Sequence, residues 1–116
     1  MLMLPSTVRV FLCRDATDMR NSYDGLTCLC RNVLGQDPAS GHLFVFFNRR
    51  REQVKILSWD RTGWAIWSKR LEKGRFQACD RSELSASDLS LILDGIDLKS
   101  VRHRMRFVHD PRPLAA

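Results

Sequence analysis

The chain reads as an α+β protein: a small antiparallel β-meander of four or five strands packed by two helices. Three observations predict it. Apolar runs at residues 43–48, 53–59 and 64–71 are separated by short turns, the pattern of consecutive antiparallel strands. Before them, Met19, Tyr23, Leu26, Cys30 and Val33 recur at spacings of four, three, four and three, which lays one apolar stripe along a helix. After them, Ser85 with Asp88 three residues later resembles a capping box ahead of a second apolar helical stretch.

Taken in order, Val8–Cys13 is β-branched and weakly alternating, and is expected to form the first strand over 8–13. Asp15 is placed to cap a helix over 16–34, with Asp18 favourable in its first turn. Leu29 and Leu34 widen the stripe, Gly35 ends the helix and Asp37-Pro38 turns the chain away. Gly25 inside that helix costs about 1 kcal/mol relative to alanine, so a close approach or a bend is expected there. Leu43–Phe47 is continuously apolar, as in a strand covered on both faces. In the next strand Val54, Ile56 and Ser58 share one face, and Lys55, Leu57 and Trp59 share the other. Asp60-Arg61-Thr62-Gly63 is a turn leading into Trp64–Leu71, and a further short strand is expected over 75–78. Leu89, Ile92, Leu93 and Ile96 give the helix over 86–95 its apolar side, with Gly95 at its end.

Length and composition bound the rest. A chain of 116 residues suits one core, so residues 1–98 are expected to form a single domain and residues 99–116 a basic, loosely held tail. Apolar residues make up 44% and charged residues 28%, which excludes a wholly disordered chain. No apolar run approaches the roughly 18–20 residues of a membrane span. The opening MLMLPSTVRVFLC lacks a basic n-region and a small-residue cleavage site, so no membrane partner and a cytoplasmic location are expected. Cys13, Cys28, Cys30 and Cys79 lack the density of a disulfide scaffold. On a helix Cys28 and Cys30 diverge by about 200° and cannot share a metal, which leaves the cysteines as small buried hydrophobes.

Charge is segregated along the chain. Residues 1–48 are neutral, residues 41–76 carry an excess of six positive charges, residues 76–98 carry −4 and residues 99–112 carry +4. That pattern points to an anionic partner, nucleic acid first. Arg49, Arg50, Arg51, Lys55, Arg61, Lys69, Arg70, Lys73 and Arg75 in the meander are the candidate phosphate contacts, because guanidinium and ammonium groups pair with phosphate and release counterions. Arg102, Arg104 and Arg106 extend the set into the tail. The same arginine turn would also serve as a solvated hairpin that discourages edge aggregation. Trp59, Trp64 and Trp67 are interleaved with these charges. Exposed, they would stack on unpaired bases; buried, they fill the core. Trp64 and Trp67 are three apart and face opposite ways, which puts at least one of them in the core.

Catalytic chemistry is not visible. Metal-assisted phosphoryl transfer needs converging carboxylates, but Asp18 and Asp24 are about 240° apart round a helix and Asp60 is a turn residue. His42, His103 and His109 have no metal-ligand spacing, and no phosphate-binding glycine loop or nucleophile elbow occurs. The expectation is a protein with no metal, no cofactor and no enzymatic activity.

Six motifs then occur in one order: Asp18-Met19-Arg20, Tyr23-Asp24-Gly25-Leu26, Gly41–Phe46 (GHLFVF), Lys55–Gly63 (KILSWDRTG), Lys69–Phe76 (KRLEKGRF) and Asp88–Leu98 (DLSLILDGIDL). Together they resemble the TnpB-type accessory protein of the insertion-sequence-sixty-six family, which is encoded beside a transposase. That family is distinct from the RNA-guided nuclease of the same name. The resemblance runs from about Val8 to Phe107. It implies an accessory role in bacterial DNA transposition, alongside a separate transposase carrying the acidic catalytic residues. It carries over no catalytic or binding position. Members of the family often differ at Trp64 and Ser68 and have plain hydrophobes at Cys28 and Cys30, which argues against special cysteine chemistry.

The expected partners are DNA, at element ends or non-specifically, and the transposase of the same element; homo-oligomerisation is compatible with the sequence. The alternative is an adaptor whose basic face docks an acidic surface on the transposase without touching DNA.

Overall fold

The computed structural model describes residues 7–95. Five strands and two helices follow in the order β1 (Val10–Cys13), α1 (Tyr23–Asn32), β2 (Leu43–Phe47), β3 (Gln53–Trp59), β4 (Trp64–Arg70), β5 (Glu83–Leu84) and α2 (Ala86–Leu93). The strands form one sheet in the spatial order β4-β3-β2-β1-β5. β2, β3 and β4 are the expected antiparallel meander, with Val45 opposite Ile56 and Ile56 opposite Trp67. The α+β class therefore stands.

The first strand departs from an all-antiparallel sheet. β1 pairs parallel with β2, Val10 beside Leu43 and Cys13 beside Phe46, so the sheet is mixed. The cause is the connection: α1 carries the chain back across one face, and a crossover helix returns it to run in the same direction. Both strands are buried along their whole length, as parallel strands covered on two faces must be.

Period-two alternation sorts the core into two layers. Val10, Leu12, Leu43, Val45, Phe47, Val54 and Ile56 face α2 and meet Leu89, Ile92 and Leu93. Phe11, Cys13, Phe44, Phe46 and Leu57 face α1 and meet Leu26 and Cys30. Trp67 packs on the α2 layer and Trp64 on the α1 layer, the opposite orientations that their spacing requires.

Helix α1 begins at Tyr23, not at residue 16. Asp18 explains the delay. Its carboxylate accepts the Arg20 N–H at 2.9 Å and its carbonyl accepts the Asn21 N–H at 3.0 Å, while the Thr17 N–H goes across to the Phe47 carbonyl. An aspartate that bonds its own following backbone offers an alternative to helix. Tyr23 and Val33, assigned to the apolar stripe, are 46% and 48% exposed, so the buried stripe is the shorter one through Leu26 and Cys30. At the C-terminal end the Gln36 N–H reaches the Cys30 carbonyl at 2.9 Å and Gly35 adopts φ +62°, a left-handed helix stop.

The last strand also differs from expectation. Residues 75–78 form no strand; Phe76 is a buried plug whose ring centroid lies 5.4 Å from that of Phe47. The fifth strand is Glu83–Leu84, antiparallel to β1 and anchored by a bidentate Arg9–Glu83 pair at 2.7 Å. α2 opens as expected, with the Asp88 N–H donating to Ser85 Oγ at 3.1 Å. The Asp88 carboxylate itself turns to Arg81 at 2.9 Å.

Candidate nucleic-acid interface

The β2–β3 turn builds one end of the sheet. Asn48 Oδ1 accepts the N–H groups of Glu52 and Gln53 at 3.0 and 3.2 Å, and the Arg51 N–H returns to the Asn48 carbonyl at 3.0 Å. This closure leaves Arg49 and Arg50 exposed at the tip.

Arg51 does the opposite. It adopts φ +55°, a left-handed conformation uncommon for a non-glycine residue, and sends its side chain back over the protein. Its guanidinium donates to the Phe76 and Gln77 carbonyls at 3.2 and 2.9 Å and lies 4.9 Å above the Phe47 ring. The Phe76 N–H in turn donates to the Arg51 carbonyl at 2.6 Å. Partial burial pulls the Arg51 pKa below its ordinary value. Arg51 is thus a clamp joining the turn to the segment after β4.

That segment brings the remaining charges. The Leu71 N–H bonds the Glu52 carbonyl at 2.8 Å, which lays residues 71–76 alongside the turn. Arg70, Lys73 and Arg75 are exposed there. Residues 49–52 and 70–75 together hold six basic and two acidic side chains, a net of +4. The adjoining 14–21 loop adds Arg14 and Arg20 against Asp15 and Asp18, a net of zero, so it does not cancel the charge. Arg20 pairs with Asp18 at 2.6 Å, and this holds the Asp18 carboxyl down at about 2.

The other sequence candidates lie elsewhere or are held internally. Lys55 Nζ donates to the Met19 and Asn21 carbonyls at 2.7 and 2.8 Å. Lys69 Nζ donates to the Leu93 carbonyl at 3.0 Å, at the C-terminal end of α2 where a cation is favourable. These two lysines, like Arg51, are structural in this fold. Arg61 sits with φ +81° in the β3–β4 turn at the far end of the sheet, roughly 20 Å away by strand length. Asp60 organises that turn by accepting the Thr62 and Gly63 N–H groups at 3.2 and 2.9 Å, which lowers its pKa. Arg102, Arg104 and Arg106 lie outside the described residues.

Trp59 and Trp64 pair across the strands beside Arg61, with centroids 4.7 Å apart, and all three tryptophans are half-buried. Cys13 and Cys30 are buried, whereas Cys28 is exposed and Cys79 half-buried, so only part of the cysteine set is core. The reason is helical phase: Cys30 shares the buried side of α1 with Leu26, and Cys28 points away. His42 Nδ1 accepts the Arg9 N–H at 2.9 Å. Among the described residues, no three His, Cys, Asp or Glu side chains converge as metal ligands would, and no helix is long and apolar enough to cross a membrane.

Two relatives from Sinorhizobium fredii are similar to the chain. Protein y4hO is 34% identical over 110 residues, covering 90% of this chain and 96% of its own. Protein y4jC is 28% identical over 101 residues, covering 84% and 86%. No solved structure matches. A family model described as "IS66 Orf2 like protein" matches residues 8–103, and the chain belongs to that family, a membership that supports a transposition-associated accessory role.

Proposed function

We propose that this protein is a non-catalytic accessory factor of insertion-sequence transposition that contacts DNA through the basic end of its sheet. The observation that carries the reading is the union of two basic loops by Arg51. Arg49 and Arg50 on one loop, and Arg70, Lys73 and Arg75 on the other, form an exposed group fixed on a rigid hairpin. Such a group suits the phosphate backbone, where each contact releases counterions and sets the salt dependence of binding. Contacts of this kind fix the position of a protein on the duplex, and comparison of element-end with random DNA reads out any sequence preference.

The test is a salt-titrated binding assay of the purified chain with element-end and random duplexes, with and without the transposase of the same element. Binding that weakens steeply with salt and is lost on Arg49→Glu with Arg50→Glu supports the reading. Absent binding at low salt, or salt-independent binding, overturns it. Loss of transposase capture with DNA binding intact would favour the adaptor reading instead.

A further inference from the structure

We propose that the outer edge of β4 is a self-association surface, through which two copies of the chain join their sheets antiparallel. This surface runs along the side of the sheet and meets the basic end only at Arg70, the last residue of β4. The two margins of the sheet differ: on one side β5 is only two residues long, and on the other β4 runs for seven. Among the described residues nothing pairs with that outer margin. A long, regular edge is a template for another strand.

The hydrogen-bond phase of β4 is set by its ends. The Leu71 N–H bonds the Glu52 carbonyl, and the Asp60 N–H bonds the Gly63 carbonyl. In the register Gln53 opposite Arg70, alternate residues therefore face β3 with both backbone groups: Ala65, Trp67 and Lys69. The N–H and C=O groups of Trp64, Ile66, Ser68 and Arg70 point outward.

The residue order selects a second copy as the occupant. A two-fold axis at Trp67 sets Trp64 against the partner's Arg70, Ala65 against the partner's Lys69 and Ile66 against the partner's Ser68. Each cation then meets an aromatic ring or a small apolar side chain, and no like charges face each other. The two Trp67 rings meet at a site without backbone bonds, where side chains approach most closely. All the outward backbone groups pair with outward groups. A parallel arrangement in register would stack Lys69 and Arg70 on their own copies. Trp64, Ile66 and Trp67 are half-buried in one copy, so the partner completes their cover.

Ser68→Pro tests this directly. Its N–H faces outward, so proline removes no bond of the β3–β4 ladder and is tolerated on an edge. Sedimentation equilibrium of the full chain should give twice the chain mass for the wild type and for Ser68→Ala, and a twofold lower mass for Ser68→Pro with unchanged far-ultraviolet circular dichroism. Amide exchange of the wild type is the second measurement, independent of any variant. The Ile66 and Ser68 amides should slow as concentration rises through the dimer range, whereas those of Ala65 and Trp67 should be protected throughout. A wild-type monomer at all concentrations overturns the proposal. So does a dimer that survives Ser68→Pro, or slow exchange at Ile66 and Ser68 in a monomer, which would mean the chain covers its own edge.

Discussion

Lys55 Nζ lies 2.7 Å from the carbonyl oxygen of Met19, thirty-six residues earlier in the chain. A second bond to the Asn21 carbonyl makes this lysine the tie between β3 and the entry to α1. Hydrogen bonds to a charged group contribute about 1.5–3 kcal/mol, and partial exposure places this pair toward the lower figure. Lys55→Met should therefore lower the unfolding free energy by about 1–2 kcal/mol, and with it the urea midpoint, and leave the salt dependence of DNA binding unchanged. Equilibrium unfolding and a salt-titrated binding curve on the same variant check both halves. A changed salt slope would return Lys55 to the contact surface.

Arg51 and its two neighbours should separate cleanly. Arg51→Ala removes two bonds to the Phe76 and Gln77 carbonyls and the packing over Phe47, and should destabilise by about 1–3 kcal/mol. Arg49→Ala with Arg50→Ala touches only exposed side chains and should leave stability within about 0.5 kcal/mol. The double variant should instead flatten the log–log salt slope by about 0.9 for each phosphate that these arginines neutralise. Urea unfolding and binding at several salt concentrations distinguish the clamp from the phosphate-facing pair.

These three adjacent arginines mark what the sequence could and could not disclose. The strand alternation of residues 53–59 assigned Val54 and Ile56 to one layer and Leu57 to the other, because period two reports faces directly. The Ser85 cap was equally local and equally legible. Lys55 fell on the expected face, but its bonding partners are carbonyls of a distant loop, and no pattern within β3 reveals them. Arg51 differs from Arg49 and Arg50 only through its left-handed backbone and the arrival of Phe76, both set by tertiary packing. The parallel pairing of β1 did leave a trace. Two wholly apolar runs, VFLC and LFVFF, flank a helix, and that is the signature of a βαβ crossover. The late start of α1 was masked because Asp15 and Asp18 suit a helix N-terminus and a local turn alike.

Thiol chemistry gives a third prediction. Cys28 is exposed and should react with an aromatic disulfide reagent in the native state, whereas Cys30 is fully buried and should react only on unfolding. Burial pushes the Cys30 thiol up from 9.0 to about 12. A folded-state pKa raised above the unfolded one contributes stability that is complete below about 9 and is lost as pH rises toward about 12. Across that window the loss attributable to Cys30 should approach about 1.4 kcal/mol per pH unit. Urea unfolding of the wild type and Cys30→Ala should diverge least at the alkaline end. A constant difference between them from about pH 8 to about pH 11 would remove the linkage.

Gly25 and Asn21 supply the last. A Cβ at position 25 would overlap Asn21 Oδ1 and stand 2.9 Å from its Cγ, and Asn21 is held in place by its Nδ2 bond to the Asp18 carbonyl at 2.9 Å. The glycine is thus explained by one side chain, not by a bend. Gly25→Ala must displace Asn21 and break that bond, a loss of about 0.5–1.5 kcal/mol. It also gains about 1 kcal/mol of helix propensity, so the net change should lie near zero. With Asn21→Ala already in place the bond is gone, and only the Asn21 Cβ at 3.1 Å remains, a neighbour that a small shift relieves. In that background Gly25→Ala should stabilise by most of the about 1 kcal/mol. A double-mutant cycle in urea measures the difference, because residues in contact are where additivity fails. Equal effects of Gly25→Ala in both backgrounds would show that something other than Asn21 requires the glycine.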